Sequence, residues 1–285
     1  MNYENWCSQS NPGHIIIVVD QNEYMGEVSS NGQTLAQRAA RCVNCFLSEL
    51  FMSETIGMRM PRKARITIIG YGGVNNNVSI IHNQYLDLLW CDDKIPRDTF
   101  VVKVSDGAGR LMDVDYDIKR YVSPIAIGSV SVVEAFKKVK TMIIAEMAFS
   151  KRSNREYDPV PIVLHLSTNV SPRITKECEQ LIDSIKRIKL ADGSPLIMNC
   201  ILTKDKSYEI IYPNKLDIVD NQIKSFYNLS SQIPETFIRG LIPMGYPELI
   251  TTCKALTVNP YEERALDFGL MQFGGSEPHI YRYYS

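Results

Sequence analysis

An aspartate closes the most apolar stretch of the chain. Residues 14–19 read HIIIVV, and Asp20 follows directly. A carboxylate in that place either braces the next loop or offers its oxygens to a hard cation. His165 and Ser167 are a second pair with chemical potential, as a base and a hydroxyl nucleophile. Successive strand residues face opposite sides, so His165, between Leu164 and Leu166, is read as a core histidine. Cys42 and Cys45 have helical spacing and fall mid-helix, away from the terminus that lowers a thiol pKa. They read as core or half-buried thiols, and no second pair completes a zinc site. Asp113, Asp115 and Asp117 alternate, which puts them on one strand face. A calcium loop starting at Asp113 needs Gly at 118 and Glu at 124, where Ile118 and Pro124 stand, so a solvated face is expected. Gly70-Tyr71-Gly72-Gly73 has Asn75 where a dinucleotide fingerprint needs its third glycine, and it reads as a hairpin turn.

Strands and helices alternate around these residues. Residues 14–19 suit a strand buried on both faces. Turn formers follow (Gly26, Ser29, Ser30, Asn31, Gly32). Then Leu35, Ala39, Cys42, Val43, Phe46, Leu47, Leu50 and Phe51 form one stripe of an amphipathic helix. Strands are predicted at 64–69 and 78–81, with a hairpin insertion at 98–121 turning at 106–109. A long helix is predicted from near Ser129, with Val132, Phe136, Val139, Ile143 and Met147 on one face. Its apolar stretch 142–149 predicts deep packing. A strand at 160–166 precedes a helix at 172–189, with Pro172 just inside its start. A strand at 196–202, a helix at 216–229 and a short helix at 260–267 follow. This order predicts an α/β fold: a doubly wound, mostly parallel sheet of about six strands with helices on both faces and a β-hairpin insertion. It spans 13–270, after a polar segment 1–12 and before an aromatic tail 271–285. The tail's Tyr281, Arg282, Tyr283 and Tyr284 suit either a partner interface or docking on the chain's own surface.

The composition narrows the function. The chain has 285 residues, 45% hydrophobic and 22% charged, with a formal net charge of −1. Without a basic excess, nucleic-acid binding is not expected. Basic runs at 137–140, 151–152 and 186–189 fit helix faces and helix ends. No apolar run approaches the roughly 20 residues a bilayer helix needs, and 1–12 lacks a signal-peptide core. Seven irregularly spaced cysteines argue against a secreted disulfide framework, so a cytoplasmic location is expected. No Gly-x-Ser-x-Gly elbow or phosphate-binding Walker loop is present.

In open α/β sheets, ligands gather beyond the carboxyl ends of the strands. Three loops qualify here: 20–33, 123–131 and 167–172. Their residues resemble those of von Willebrand factor A domains. VVDQNEYMGE stands where that family carries Asp-x-Ser-x-Ser-Met. IAIGSVSVVEAF resembles the Gly-Thr-Pro-Leu approach to a later helix. PVPIVLHLSTNVSPR resembles the central strand with its Leu-Thr-Asp-Gly ending. Further on, Ile210-Ile211-Tyr212-Pro213, Ser230-Ser231-Gln232-Ile233-Pro234-Glu235 and Val258-Asn259 resemble the bacterial branch found in tellurite-resistance regions. The resemblance implies a von Willebrand factor A (Rossmann-like) fold and a metal-ion-dependent adhesion site. By position, Asp20 matches the first aspartate, Asn22 and Tyr24 replace two serines, Ser129 replaces a threonine and Thr168 replaces the second aspartate. Asn22 and Ser129 retain ligand oxygens and Glu23 adds charge, but Tyr24 is too large for a compact hydroxyl ligand.

The expectation is therefore a degenerate metal site of Asp20, Asn22 and Ser129, with Asp20 bracing its own loop. No cofactor is expected, magnesium being the ion the family would use. The chain is expected to be a non-catalytic module that binds a protein partner through Asp20, Asn22, Glu23, Tyr24, Ser129, Thr168 and Asn169. The resemblance implies bacterial stress-response or defence signalling, with a kinase or protein phosphatase of the same pathway as partner. Two rivals use the same edge: a nucleotide-binding or hydrolytic α/β enzyme, and a metal-dependent binder with atypical ligands.

Overall fold

The computed structural model describes residues 3–55, 59–105, 110–153, 155, 158–170, 174–217, 220–246 and 248–273. The expected turn at 106–109, Pro172 and the aromatic tail from 274 onward lie outside them.

The apolar run becomes β1 (Gly13–Gln21), buried along its whole length. It lies in the middle of a mostly parallel sheet, and helices cover both faces. On one side β1 pairs in parallel with β2 (Ala64–Gly72), which pairs antiparallel with β3 (Asn77–Tyr85). On the other side stand β6 (Ile162–Thr168), β7 (Leu196–Leu202), β9 (Leu256–Val258) and the two-residue β8 (Ile210–Ile211). The sheet therefore has seven strands where about six were expected. Two of the seven, β8 and β9, are too short to show periodicity. The expected hairpin is present as β4 (Arg97–Ser105) and β5 (Leu111–Lys119), a separate two-stranded sheet. Asp113, Asp115 and Asp117 are exposed on β5.

Strand alternation divides β1 between two cores. Ile15, Ile17 and Val19 face α1 (Leu35–Glu54), α6 (Glu235–Leu241) and a closing 3-10 turn (Asp267–Phe273). Ile16 and Val18 face α3 (Val132–Arg152) and α4 (Lys176–Lys186). A third cluster lies under α5 (Asn221–Leu229). The short α2 (Leu86–Cys91) follows β3. Thr34 starts α1 with a reciprocal capping box: its hydroxyl accepts from the Gln37 N–H, and the Gln37 side chain accepts from the Thr34 N–H. Within α1, Cys42 and Cys45 are buried free thiols. Arg38 is also fully buried, its guanidinium held by Glu262 at 3.1 Å, the Thr203 carbonyl at 3.0 Å and Asn259 at 3.3 Å.

Several element boundaries differ from the sequence expectation. α3 starts at Val132 behind a Ser131 cap, three residues past Ser129. It is not deeply packed throughout, since Ile144 is 50% and Phe149 46% exposed. The face that lies over the sheet core carries Phe136, Val139 and Ile143, with Met147 partly buried against the same cluster. α4 starts at Lys176, because the Thr175 hydroxyl caps the Cys178 N–H. α5 starts at Asn221, where Asp220 accepts from two backbone N–H groups. The final helix lies later than expected, as the 3-10 turn from Asp267.

Candidate functional site

The register of the three central strands builds a polar cluster at their carboxyl ends. Asp20 on β1 is paired with Tyr71 on β2. Val18 is paired with His165 on β6, which places Ser167 level with Asp20. Side chains two apart on a strand share a face, so Tyr71, Asp20, His165 and Ser167 all point to the α3 side.

The Asp20 carboxylate is nearly sealed, at 1% exposure. Its Oδ1 accepts from the Asn22 backbone N–H at 3.1 Å and the Asn22 side-chain amide at 2.9 Å. Its Oδ2 accepts from the hydroxyls of Ser167 at 2.8 Å, Tyr71 at 2.8 Å and Tyr24 at 3.1 Å. Burial raises the Asp20 pKa, opposed by the hydrogen bonds from Ser167, the Asn22 backbone, Tyr71 and Tyr24. Asn22 joins the cluster to the loop before α3: its amide donates to the Val130 carbonyl at 3.0 Å, and its carbonyl accepts from the Val130 N–H at 2.5 Å. A Cβ at residue 72 would stand 2.8 Å from the Asn22 backbone nitrogen, and φ there is +101°, so only glycine allows this approach.

Behind Tyr71 the network runs deeper. Tyr71 Oη lies 3.0 Å from His165 Nε2, and His165 Nδ1 lies 2.9 Å from Asn199 Oδ1. The Asn199 amide donates to Ser230 Oγ at 2.9 Å, which leaves its carbonyl to accept from Nδ1–H of His165. Nε2 is then the acceptor, and the single Tyr71 proton serves both Asp20 and His165. Burial lowers the His165 pKa to about 4, keeping the ring neutral, and raises the Tyr71 phenol well above its ordinary value.

His165 is a core histidine, as expected, but the reason is different. It does not point away from Ser167; the two lie two residues apart and both reach Tyr71. The Ser167 hydroxyl donates to Asp20 instead of to the imidazole. Ser167 is fully buried and His165 only 1% exposed. A nucleophile–base pair needs the hydroxyl within reach of both the base and a substrate, and neither condition is met.

The other expected site residues are dispersed around this cluster. Tyr24, in a 3-10 turn at Glu23–Gly26, donates its phenol hydroxyl to Asp20 Oδ2. Glu23 is exposed, and its N–H donates to the Gly128 carbonyl. Ser129 is exposed, and its N–H donates to Asn76 Oδ1 at 2.6 Å, outside the Asp20 cluster. Thr168 is fully buried, and alternation turns it to the face opposite Ser167. Asn169 donates to Asp220 at 2.7 Å. Tyr71 was not singled out from sequence; its signal was strand alternation continuing two residues beyond Ile69.

The donor set does not fit magnesium. A hard cation needs about six oxygen ligands, whereas both Asp20 oxygens and the Asn22 carbonyl already accept protein donors. Among the described residues, no three His, Cys, Asp or Glu side chains gather to hold a metal ion. Four aliphatic side chains are exposed on loops at this edge, Val28 (57%), Val74 (78%), Ile127 (53%) and Val170 (45%), beside the exposed polar residues Glu23, Asn76 and Ser129. Three of these loops are joined by backbone bonds, Gly73 N–H and Ile127 carbonyl at 2.7 Å and Ile127 N–H and Gln21 carbonyl at 2.9 Å. Among the described residues no helix is long and apolar enough to cross a membrane.

No protein-family model matches the chain, and no curated protein matches it. Solved structures match at low identity. The pilus adhesin SpaC from Lactobacillus rhamnosus GG is 9% identical over 80% of this chain and 28% of its own, with a TM-score of 0.45. The N-terminal domain of TFIIH p34 is 9% identical over 69% of this chain and 83% of its own, at 0.39. The manganese-loaded TRAP protein of Plasmodium vivax is 13% identical over 68% of this chain and 58% of its own, at 0.34. At these values the likeness extends to no shared residue or ligand.

Proposed function

We propose that this chain is a non-catalytic binding module of the von Willebrand factor A type. It holds a protein partner on the carboxyl edge of its sheet by shape and apolar contact, without a metal ion. The observation that carries this reading is the filled Asp20 carboxylate, with five protein donors on two oxygens. Such a group fixes the surrounding loops and has no acceptor capacity left for a cation or substrate. The loops it fixes present Val28, Val74, Ile127 and Val170 to solvent. Aliphatic side chains on a rigid rim suit the desolvated centre of a protein interface. The sequence resemblance around Asp20, Ser129 and Thr168 supports the same edge, and it favours a kinase or protein phosphatase of a bacterial stress-response or defence pathway as the partner.

Cross-linking capture from the native host tests the reading. The wild-type chain is expected to retain a specific protein that the double variant Val74→Glu, Ile127→Glu loses. Equal capture by both contradicts an edge interface. Thermal stabilisation of several degrees by ATP, GTP or NAD would favour the enzymatic rival instead.

A further inference from the structure

The amino edge of the sheet carries a cleft of about 450 Å³. It lies between the end of α4, the residues that enter β7 and the segment that joins α5 to α6. Leu196 in its wall stands, through Ile162, level with Ile15 at the start of β1 and not with Asp20. Three lysines line the cleft: Lys186 from the last turn of α4, Lys189 just beyond it, and Lys254 before β9.

Two of these ammonium groups are neighbours. Lys186 Nζ donates to the Leu229 carbonyl at 3.2 Å, and Lys254 Nζ donates to the Ser230 carbonyl at 3.3 Å. The two acceptors are consecutive residues at the end of α5, so both charges meet one short piece of backbone. Both side chains are partly open to solvent. Burial lowers the Lys254 pKa, and the charge of Lys186 lowers it further. The end of α5 answers only part of this charge, since a helix C-terminus offers about half a negative charge. An ammonium has three N–H donors, and Lys254 spends one on Ser230. The next residue adds a hydroxyl to the same stretch. Ser231, 6% exposed, accepts the Ile197 N–H at 2.9 Å, which leaves its own proton to donate.

The carboxylates nearby do not complete the pair. Glu235 lines the cleft but is held by Arg239 one turn along α6. Asp183 meets Lys186 at 3.2 Å, is 45% exposed and is shared with Arg187. Asp192, near Tyr3, accepts from the Glu4 and Asn5 N–H groups. Among the described residues no carboxylate pairs with Lys254. Two adjacent ammonium charges call for two negative charges. A phosphate group carries about 1.5–2 of them at pH 7 on three acceptor oxygens, whereas a single carboxylate brings one. We propose that this cleft binds a phosphate group through Lys186, Lys254 and the Ser231 hydroxyl, with Lys189 adding positive charge at the rim. The rest of the cleft, walled in part by Tyr3, Pro195 and Pro234, takes the carbon body of a phosphate ester. The site is independent of the protein-docking edge.

Phosphorus NMR titration of the full chain at constant ionic strength tests the assignment, with inorganic phosphate and phenyl phosphate as probes. At least one is expected to bind saturably in the millimolar range or tighter. Equal binding of the two assigns the free ion, and tighter binding of phenyl phosphate assigns an ester. Lys254→Met is expected to weaken binding by about tenfold or more, and Lys186→Met serves the same purpose if Lys254→Met does not fold. Lys224→Met, at an exposed lysine on α5, is expected to leave binding unchanged. Absence of saturable binding by both probes overturns the assignment. So does binding that survives Lys254→Met or Lys186→Met in a folded protein, or that Lys224→Met weakens equally.

Discussion

One face of β1 ends in a buried polar residue on each side, with Ile16 and Val18 between them. At the carboxyl end, Asp20 accepts five protein hydrogen bonds, and Asn22, Tyr24, Tyr71 and Ser167 all converge on it. At the amino end, His14 keeps one partner through Nε2, and its Nδ1 has none among the described residues. Both residues are equally hidden from solvent. The difference lies in satisfaction: a complete polar network specifies one local structure, whereas an incomplete one leaves unmet hydrogen-bonding capacity. The first holds its loops in one arrangement, and the second leaves a buried ring nitrogen unsatisfied.

The sharpest way to break this contrast is to delete the two polar groups in turn. Asp20→Ala strands buried donors on Tyr71, Ser167 and Asn22, and a loss on the order of 4 kcal/mol is expected in urea unfolding. His14→Phe removes an orphan atom and fills space, and a change within about 1 kcal/mol is expected. Equal losses from the two would erase the distinction.

A pH series sharpens it further. In the fold His165 is neutral with its pKa near 4, because burial penalises the charged ring. The unfolded chain binds that proton near pH 6.5, so the stability present above 6.5 falls as pH drops through 4. The wild type is expected to lose about 3 kcal/mol across this window relative to His165→Gln. Parallel curves for the two proteins would show that burial does not hold the ring neutral. The smallest effect is expected at the rim. The double variant Val74→Glu, Ile127→Glu touches exposed side chains, so its unfolding midpoint is expected to stay within about 0.5 kcal/mol of wild type.

Much of this arrangement was legible in single segments. The run at 14–19 announced β1, the strand at 196–202 matches β7 residue for residue, and the stripe from Leu35 to Phe51 lies along the buried face of α1. The bracing role of Asp20 was also readable, because a carboxylate ending an apolar strand must find donors nearby. What depends on register was not readable. Tyr71 reaches Asp20 only because β2 and β1 align them, and Ser167, not Thr168, reaches it because β6 sets the alternation. Arg38 is buried because Thr203, just after β7, and Asn259, just after β9, hold its guanidinium, a placement no local pattern carries. The exposure of Ile144 and Phe149 is another such case. Periodicity marks a helix face but does not say whether anything covers it.

The central claim is that the carboxyl edge recognises its partner without a cation because Asp20 is already filled. Calorimetric titration of chelator-treated protein with magnesium and then manganese tests it most directly. No saturable heat is expected at micromolar metal, for either wild type or Asp20→Asn. Micromolar binding in the wild type that Asp20→Asn abolishes would contradict the account.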